Sequence, residues 1–349
     1  MRKFFLFLFL ISTCAFALDI DEKIGQMIIV GFKGDSVKSR GFKQVQKQLK
    51  KGEISGVILF SRNIKSKNDL IQMNNELLKS SKIVPFISID NEGGQIQRYD
   101  FIQTKSAKEI AKLSEKQARE EYQKMANLEH ELDINLNFAP CVDLEINKNS
   151  IIAKKERSYG ENSDIVSKFA EIFIQEHNKL NIINSIKHFP GHGSVAGDTH
   201  LGFVESTNTF KNNELLPYIN LLNYDDKNMV MVSHVFNKNF DEKYPASLSE
   251  LTLKGFLRGK IGFDGVIVSD DFDMRAIKNN YSLEETLEKA INAGVNLLVF
   301  SGNISKNDKN EVKKIRKIIK NGIKTGKIDI EDINNSYDRI INIKKLIEN

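Results

Sequence analysis

The segment Lys187 to His200, KHFPGHGSVAGDTH, gathers a lysine, three histidines and an aspartate into one short window. Pro190 together with Gly191 and Gly193 is incompatible with a helix, so these polar groups are displayed from a loop. Histidine exchanges a proton near neutral pH, and half of the six histidines in the chain fall here, which is the composition of a catalytic loop. Asp198 and His200 are two residues apart. A modest bend lets the carboxylate reach the imidazole, orient it and favour its protonated form, which makes a general acid. A solvated polar loop is the plain alternative.

A second acidic position stands in GFDGVIVSDDFDM, where Asp270 and Asp271 follow the apolar run Val266 to Val268. A carboxylate at the end of a buried strand is rigidly placed and faces a site, as a nucleophile must be. The competing role is an N-cap for the following FDMRAIKNN segment, and adjacent aspartates allow one to cap while the other reacts. The string DNEGGQIQR puts Asp90 at a strand end, then Gly93, Gly94 and Arg98. The glycines permit close backbone approach, and the acid and guanidinium can hydrogen-bond a polyhydroxylated ligand.

His188, His192, Asp198, His200 and His234 also have the chemistry of metal ligands drawn from strand ends. Against this, Pro190 and Gly191 interrupt the i, i+4 histidine pair of a helical zinc motif, and no cysteine cluster compensates. The expectation is no metal and no organic cofactor. Neither G-x-G-x-x-G after the first strand nor a P-loop is found, so phosphate-cradling functions fall away.

These residues need elements to hold them. Short apolar runs recur as QMIIVGF from Gln26, SGVILF from Ser55, PFISID from Pro85, INLNFAP from Ile134, NSIKHF from Asn184, NMVMVSH from Asn228, DGVIVSDD from Asp264 and VNLLVFSG from Val295. Runs rich in Val and Ile are typical of parallel strands buried on both faces. Between them lie amphipathic stretches with helical spacing at Asn68 to Lys82, Ala107 to Leu132, Asp164 to Leu180, Leu283 to Ala293 and Asn307 to Thr325. The alternation predicts an α/β fold, a single-domain (β/α)8 TIM-type barrel, with an open three-layer sheet as the competitor. Several runs end in polar residues, at Asp90, His188, His234, Asp270 and Ser301, which places a site at the C-terminal rim of a barrel.

The 349 residues carry a formal charge of +5, with 40% hydrophobic and 28% charged residues, the balance of a soluble globular protein. That bias is too small to imply a nucleic-acid partner, and no clustered basic and aromatic stripe supports one. Residues 1 to 17, MRKFFLFLFLISTCAFA, combine a basic start, an apolar run from Phe4 to Ile11 and small residues at Ala15 and Ala17. This predicts an export signal cleaved after Ala17, a mature domain from Leu18 to Asn349, and a periplasmic or secreted protein without stable membrane insertion. A retained anchor and a lipoprotein attached through Cys14 are the alternatives. Past the signal only Cys141 remains, so no intramolecular disulfide is expected.

Taken together, DNEGGQIQR, NFAPCVDL, ERSYGEN, KHFPGHG, DTH and SDDFDM, in that order from about Ile24 onward, resemble the single-domain NagZ-type β-N-acetylhexosaminidases of glycoside hydrolase family 3. K-H-F-P-G-H-G followed by D-x-H is the most specific element. The resemblance implies a retaining two-step mechanism. In it Asp270 is the nucleophile, and His200, on a mobile loop after the fifth strand, is the acid/base with Asp198 as its partner. It further implies sugar-binding roles for Asp90, Arg98, Arg157, Lys187 and His188, with Met274 near the site. The implied substrate is terminal, non-reducing β-linked GlcNAc on peptidoglycan fragments, acted on by a monomer. Two carboxylates usually share the work of a retaining glycosidase, so histidine in the second role is distinctive. The loop here reads DTHLGFVES, where such proteins more often have D-S-H and a Pro-containing turn. Other family 3 glycosidases such as β-glucosidases, a metal-dependent barrel hydrolase, and a catalytically silent sugar-binding protein are the alternatives.

Overall fold

The computed structural model describes residues 19–224, 228–302 and 310–348; the expected export signal, Cys14 and the start of the stretch at Asn307 lie outside the described residues. All eight apolar runs are strands: β1 Ile28–Gly31, β2 Gly56–Leu59, β3 Phe86–Ile89, β4 Leu136–Asn137, β5 Ile183–Phe189, β6 Met229–Val232, β7 Ile267–Ser269 and β8 Leu298–Phe300. Every residue in them is buried, as expected when side chains alternate between the barrel interior and a jacket of helices.

Every strand pairing is parallel, in the order β7-β6-β5-β4-β3-β2-β1-β8. The ends of that order meet through the bridge Val268–Leu297, with Ser269 N donating to Leu297 O at 2.9 Å and Phe272 N to Val299 O at 3.0 Å. The sheet is a closed barrel, and the open three-layer alternative is set aside.

Helices Lys67–Leu78, Ser163–Asn178, Leu283–Ala293 and Glu311–Thr325 lie on the expected stretches. The stretch Ala107 to Leu132 divides into Ala107–Ile110 and Glu115–Glu131. Ser106 with Glu109 and Ser114 with Gln117 each close a capping box, so a second helix start is written inside what periodicity reads as one helix. Helices Leu216–Tyr224 and Leu251–Arg258 follow β5 and β6, and the jacket also includes Arg40–Lys50 and Ile330–Lys344. The latter brings Lys344 to the N-terminal end of the barrel. There its buried ammonium meets Gln26 Oε1 at 2.8 Å and Ser55 O at 3.0 Å and lies over the Phe86 ring.

Parallel strands bring their C-terminal ends to one rim. Asp90 follows β3, Lys187 and His188 lie near the end of β5, His234 follows β6, Asp270 follows β7 and Ser301 follows β8. Residues distant in sequence thereby face one mouth.

Candidate active site

On the β3 to β5 side of the rim, charged side chains alternate in sign along a continuous hydrogen-bonded chain. Arg98 Nη2 reaches Asp90 Oδ2 at 3.3 Å, and Lys187 Nζ reaches Asp90 Oδ1 at 2.6 Å. Lys187 also pairs with Glu92 Oε1 at 2.8 Å. Arg157 grips the same Glu92 with two nitrogens, Nε at 2.8 Å and Nη2 at 2.6 Å. Side-chain exposure of 2% for Lys187 and 10% for Arg157 removes most competing water. Burial alone would raise both carboxyls, but Lys187 and Arg98 outweigh it at Asp90, which falls to about 2. Arg157 and Lys187 hold Glu92 lower still. Asp90 and Glu92 are therefore ionised at neutral pH.

The chain continues through His188. Arg157 Nη2 lies 3.1 Å from His188 Nε2, and His188 Nδ1 lies 2.6 Å from Asp143 Oδ2. A guanidinium only donates, so Nε2 accepts and Nδ1 carries the proton given to Asp143. Asp143 also accepts from the backbone N–H groups of His188 at 3.3 Å and His192 at 2.8 Å, and from the Cys141 thiol at 3.3 Å. Burial opposes ionisation of Asp143, but His188 overrides it and the carboxyl sits at about 2.

Across the mouth, the backbone of Asp270 is fixed to β6 by its N–H to Val232 O at 3.0 Å. Its Oδ1 accepts the N–H of Asp271 at 2.8 Å. Burial raises the Asp270 carboxyl, yet the surrounding imidazoles, His234 foremost, bring it below the ordinary value. Asp271 differs. It accepts from the backbone of Ser301 and of Asp273, each at 3.0 Å, and from the Ser301 hydroxyl. Burial and Asp273 push it up to about 6. The N-cap role considered for this pair is not what forms: the short helix Arg275–Lys278 starts after Met274, which makes no side-chain cap. Asp271 is instead an anchor between the β7 and β8 loops, because its second residue downstream and Ser301 present their donors first. Met274 is fully buried beneath the same loop.

The loop after β5 brings the remaining pair. His200 Nδ1 lies 2.7 Å from Asp198 Oδ1, which also accepts the His200 backbone N–H at 2.9 Å. That hydrogen bond raises the His200 pKa against the opposing effect of burial, with Asp270 adding to the rise. Asp198 falls to about 2, chiefly through the same bond. The His200 side chain is 58% exposed, open to the mouth. The loop is docked at three places: Ala276 N donates to Thr199 O at 3.2 Å, Phe236 N to Val204 O at 2.9 Å, and Ser206 N to Phe236 O at 2.9 Å. Val195, Val204 and Val235 form a small apolar cluster beneath it.

The five residues weighed as metal ligands do not pool their donor atoms. His188 is committed to Asp143 and Arg157, His200 Nδ1 to Asp198, and His234 to Ser247 Oγ and Asp271 O. A different trio, Cys141, Asp143 and His188, has its donor atoms within 4.8 Å of one another. Each of those atoms is satisfied by the hydrogen bonds above, and burial with Asp143 pushes the Cys141 thiol well up, into its protonated form. Glu92 and Asp143 stand inside DNEGGQIQR and NFAPCVDL, yet residue types alone gave them no role. Only their burial between the sugar-facing candidates marks them.

The family model described as the glycosyl hydrolase family 3 N terminal domain matches residues 19–343. The chain belongs to glycosyl hydrolase family 3. Among family 3 relatives, it is 36% identical over 257 residues to a beta-hexosaminidase of Actinobacillus pleuropneumoniae serotype 3 (strain JL03), covering 70% of this chain and 73% of the relative. It is 34% identical over 269 residues to a beta-hexosaminidase of Shewanella frigidimarina (strain NCIMB 400), covering 72% and 76%. The structure of a family 3 beta-N-acetylglucosaminidase from Paenibacillus sp. str. FPU-7 superposes with a TM-score of 0.85 at 27% identity. That match covers 95% of this chain, which spans 63% of the Paenibacillus chain. The family 3 barrel is thus common to this protein and the Paenibacillus structure.

Proposed function

We propose that this chain is a retaining β-N-acetylglucosaminidase that releases terminal, non-reducing GlcNAc. The observation that carries the reading is the pairing of a low-pKa carboxylate, Asp270, with an imidazole whose pKa is raised by Asp198, facing each other across a mouth lined by fixed charges. In the first step Asp270 attacks the anomeric carbon, and His200 gives its proton to the departing glycosidic oxygen. The glycosyl ester to Asp270 is then opened by water, whose proton passes to His200, regenerating both groups. Asp90, Arg98, Arg157, Lys187 and His188 grip the sugar hydroxyls, with Met274 packed near the site behind the loop after β7. The names of the relatives support the GlcNAc preference over a glucosidase.

No step in this scheme draws on a metal. Hydrolysis of aryl β-GlcNAc should exceed that of aryl β-glucoside and survive exhaustive EDTA treatment. A glucoside preference would reassign the specificity, and loss on chelation with recovery on Zn²⁺ would transfer the chemistry to a metal. The export signal supports action in the periplasm or outside the cell on peptidoglycan fragments. Mass spectrometry should then find a mature N-terminus at Leu18; an intact Met1 would place the enzyme elsewhere, and a lipidated Cys14 would tether it.

A further inference from the structure

The charge of this protein is not spread evenly. Helix Arg40–Lys50 contains four cations and no acid, and helix Glu311–Thr325 contains six cations and one acid. Their net +9 exceeds the +5 of the whole chain, so everything else is net negative. The two helices flank β1, which pairs with both β2 and β8, and residues of both, including Arg40, Gln44 and Glu311, line one surface groove.

On each helix the cations recur on one face. Arg40, Lys43, Lys47 and Lys50 form one row and Lys313, Lys317, Lys320 and Lys324 the other, and all eight are exposed. The opposite faces bury Phe42, Val45 and Leu49, and Val312, Ile315 and Ile319. Like charges at these spacings weaken a helix unless acids relieve them. Several surface lysines elsewhere are relieved: Lys67 pairs with Glu131 at 2.7 Å, Lys168 with Glu115 at 2.6 Å and Lys179 with Glu176 at 2.7 Å. Of the eight cations in the two rows, only Lys320 has an ion pair among the described residues, with Asp21 at 2.8 Å.

The chain also enters the fold here. Asp21, in the first turn of the first helix, binds Arg316 at 2.9 Å as well as Lys320, so the first described helix is fastened beside the second row. We propose that this face docks on the headgroups of an anionic phospholipid bilayer, the protein adsorbing through its side. Basic residues near such a surface each add to binding, and the attraction dies away within a Debye length of about 8 Å at physiological salt. The rows contain no aromatic residue, which removes the stacking that single-stranded nucleic acid requires. Adsorption is peripheral: no described helix is long and apolar enough to cross a membrane.

The test is co-sedimentation of the mature chain, from Leu18 onward, with vesicles of phosphatidylcholine alone or mixed with phosphatidylglycerol. The wild type should partition about tenfold or more in favour of the mixed vesicles at low salt, from the summed attraction of several cations. That preference should vanish at high salt and in K43E/K47E/K313E/K317E, with turnover of a soluble aryl glycoside unchanged. The corresponding Lys→Gln variant, which keeps helix propensity, should show an intermediate loss. Equal binding to both vesicle types, or a charge-reversed variant that keeps the preference, would overturn the proposal. So would binding to soluble polyphosphate without any preference for phosphatidylglycerol, which would assign the face to a dissolved polymer.

Discussion

Asp270 and Asp271 are neighbours in sequence with opposite environments, one held ionised by imidazoles and the other pushed up to about 6 by burial. Asp270→Asn is nearly isosteric but cannot form a glycosyl ester, so turnover should be abolished with the fold intact by circular dichroism. Asp271→Asn should be milder, since an amide oxygen can still accept from Ser301 and Asp273. A dead Asp271→Asn beside an active Asp270→Asn would invert the assignment. His200→Ala should slow substrates with poor leaving groups about 10²- to 10⁴-fold while largely sparing activated aryl glycosides, and azide should partly rescue it. Because Asp198 raises the His200 pKa above its ordinary value of 6.5, the acid form persists to higher pH than in a free imidazole, and kcat/KM for unactivated substrates should fall as pH rises through that raised value. Asp198→Asn should move this basic limb to lower pH. Equal losses on both substrate types, without rescue, would make His200 a binding residue.

The loops that hold these groups are themselves held by buried carboxylates. Glu92, on the turn after β3, fixes Arg157 and Lys187 at once, and Asp143, after β4, fixes His188 and the backbone of His192. Neither needs to touch the sugar to matter, since each sets the direction in which a neighbour offers its hydrogen bonds. Removing one partner of a buried ion pair typically costs about 3–5 kcal/mol, because the other charge is left uncompensated. Glu92→Gln should therefore raise KM for β-GlcNAc substrates by about tenfold or more, with a smaller change in kcat, as Arg157 loses its bidentate brace. A lowered melting temperature with unchanged KM in the folded fraction would reduce Glu92 to a packing role.

At the far end of the barrel, Lys344 has a global consequence. Burial lowers its pKa from 10.5 to about 7, so between those values the unfolded chain binds more protons than the folded one, and stability rises with pH. Lys344→Met removes that titration. In urea unfolding, wild-type stability relative to the variant should climb by up to about 1.4 kcal/mol per pH unit across that window. A flat difference between pH 7 and pH 10.5 would mean that the ammonium is solvated in the folded state.

The barrel was legible because most of its strands are short Val- and Ile-rich runs, and burial on both faces leaves that mark in local composition. The same holds for Asp270, Asp198 and His200, whose neighbours announce a strand end or a loop. Helix Arg40–Lys50 was less legible, since its apolar side is only Phe42, Val45 and Leu49 within a lysine- and glutamine-rich stretch. What tertiary structure alone decided was pairing. That Glu92 lies between Arg157 and Lys187, that Asp143 sets the tautomer of His188, that Asp271 anchors Ser301 instead of capping a helix, and that two basic helices line one groove all depend on residues far apart in the chain. Composition and spacing report what a residue can bond to, whereas closing the barrel selects which partner is within reach.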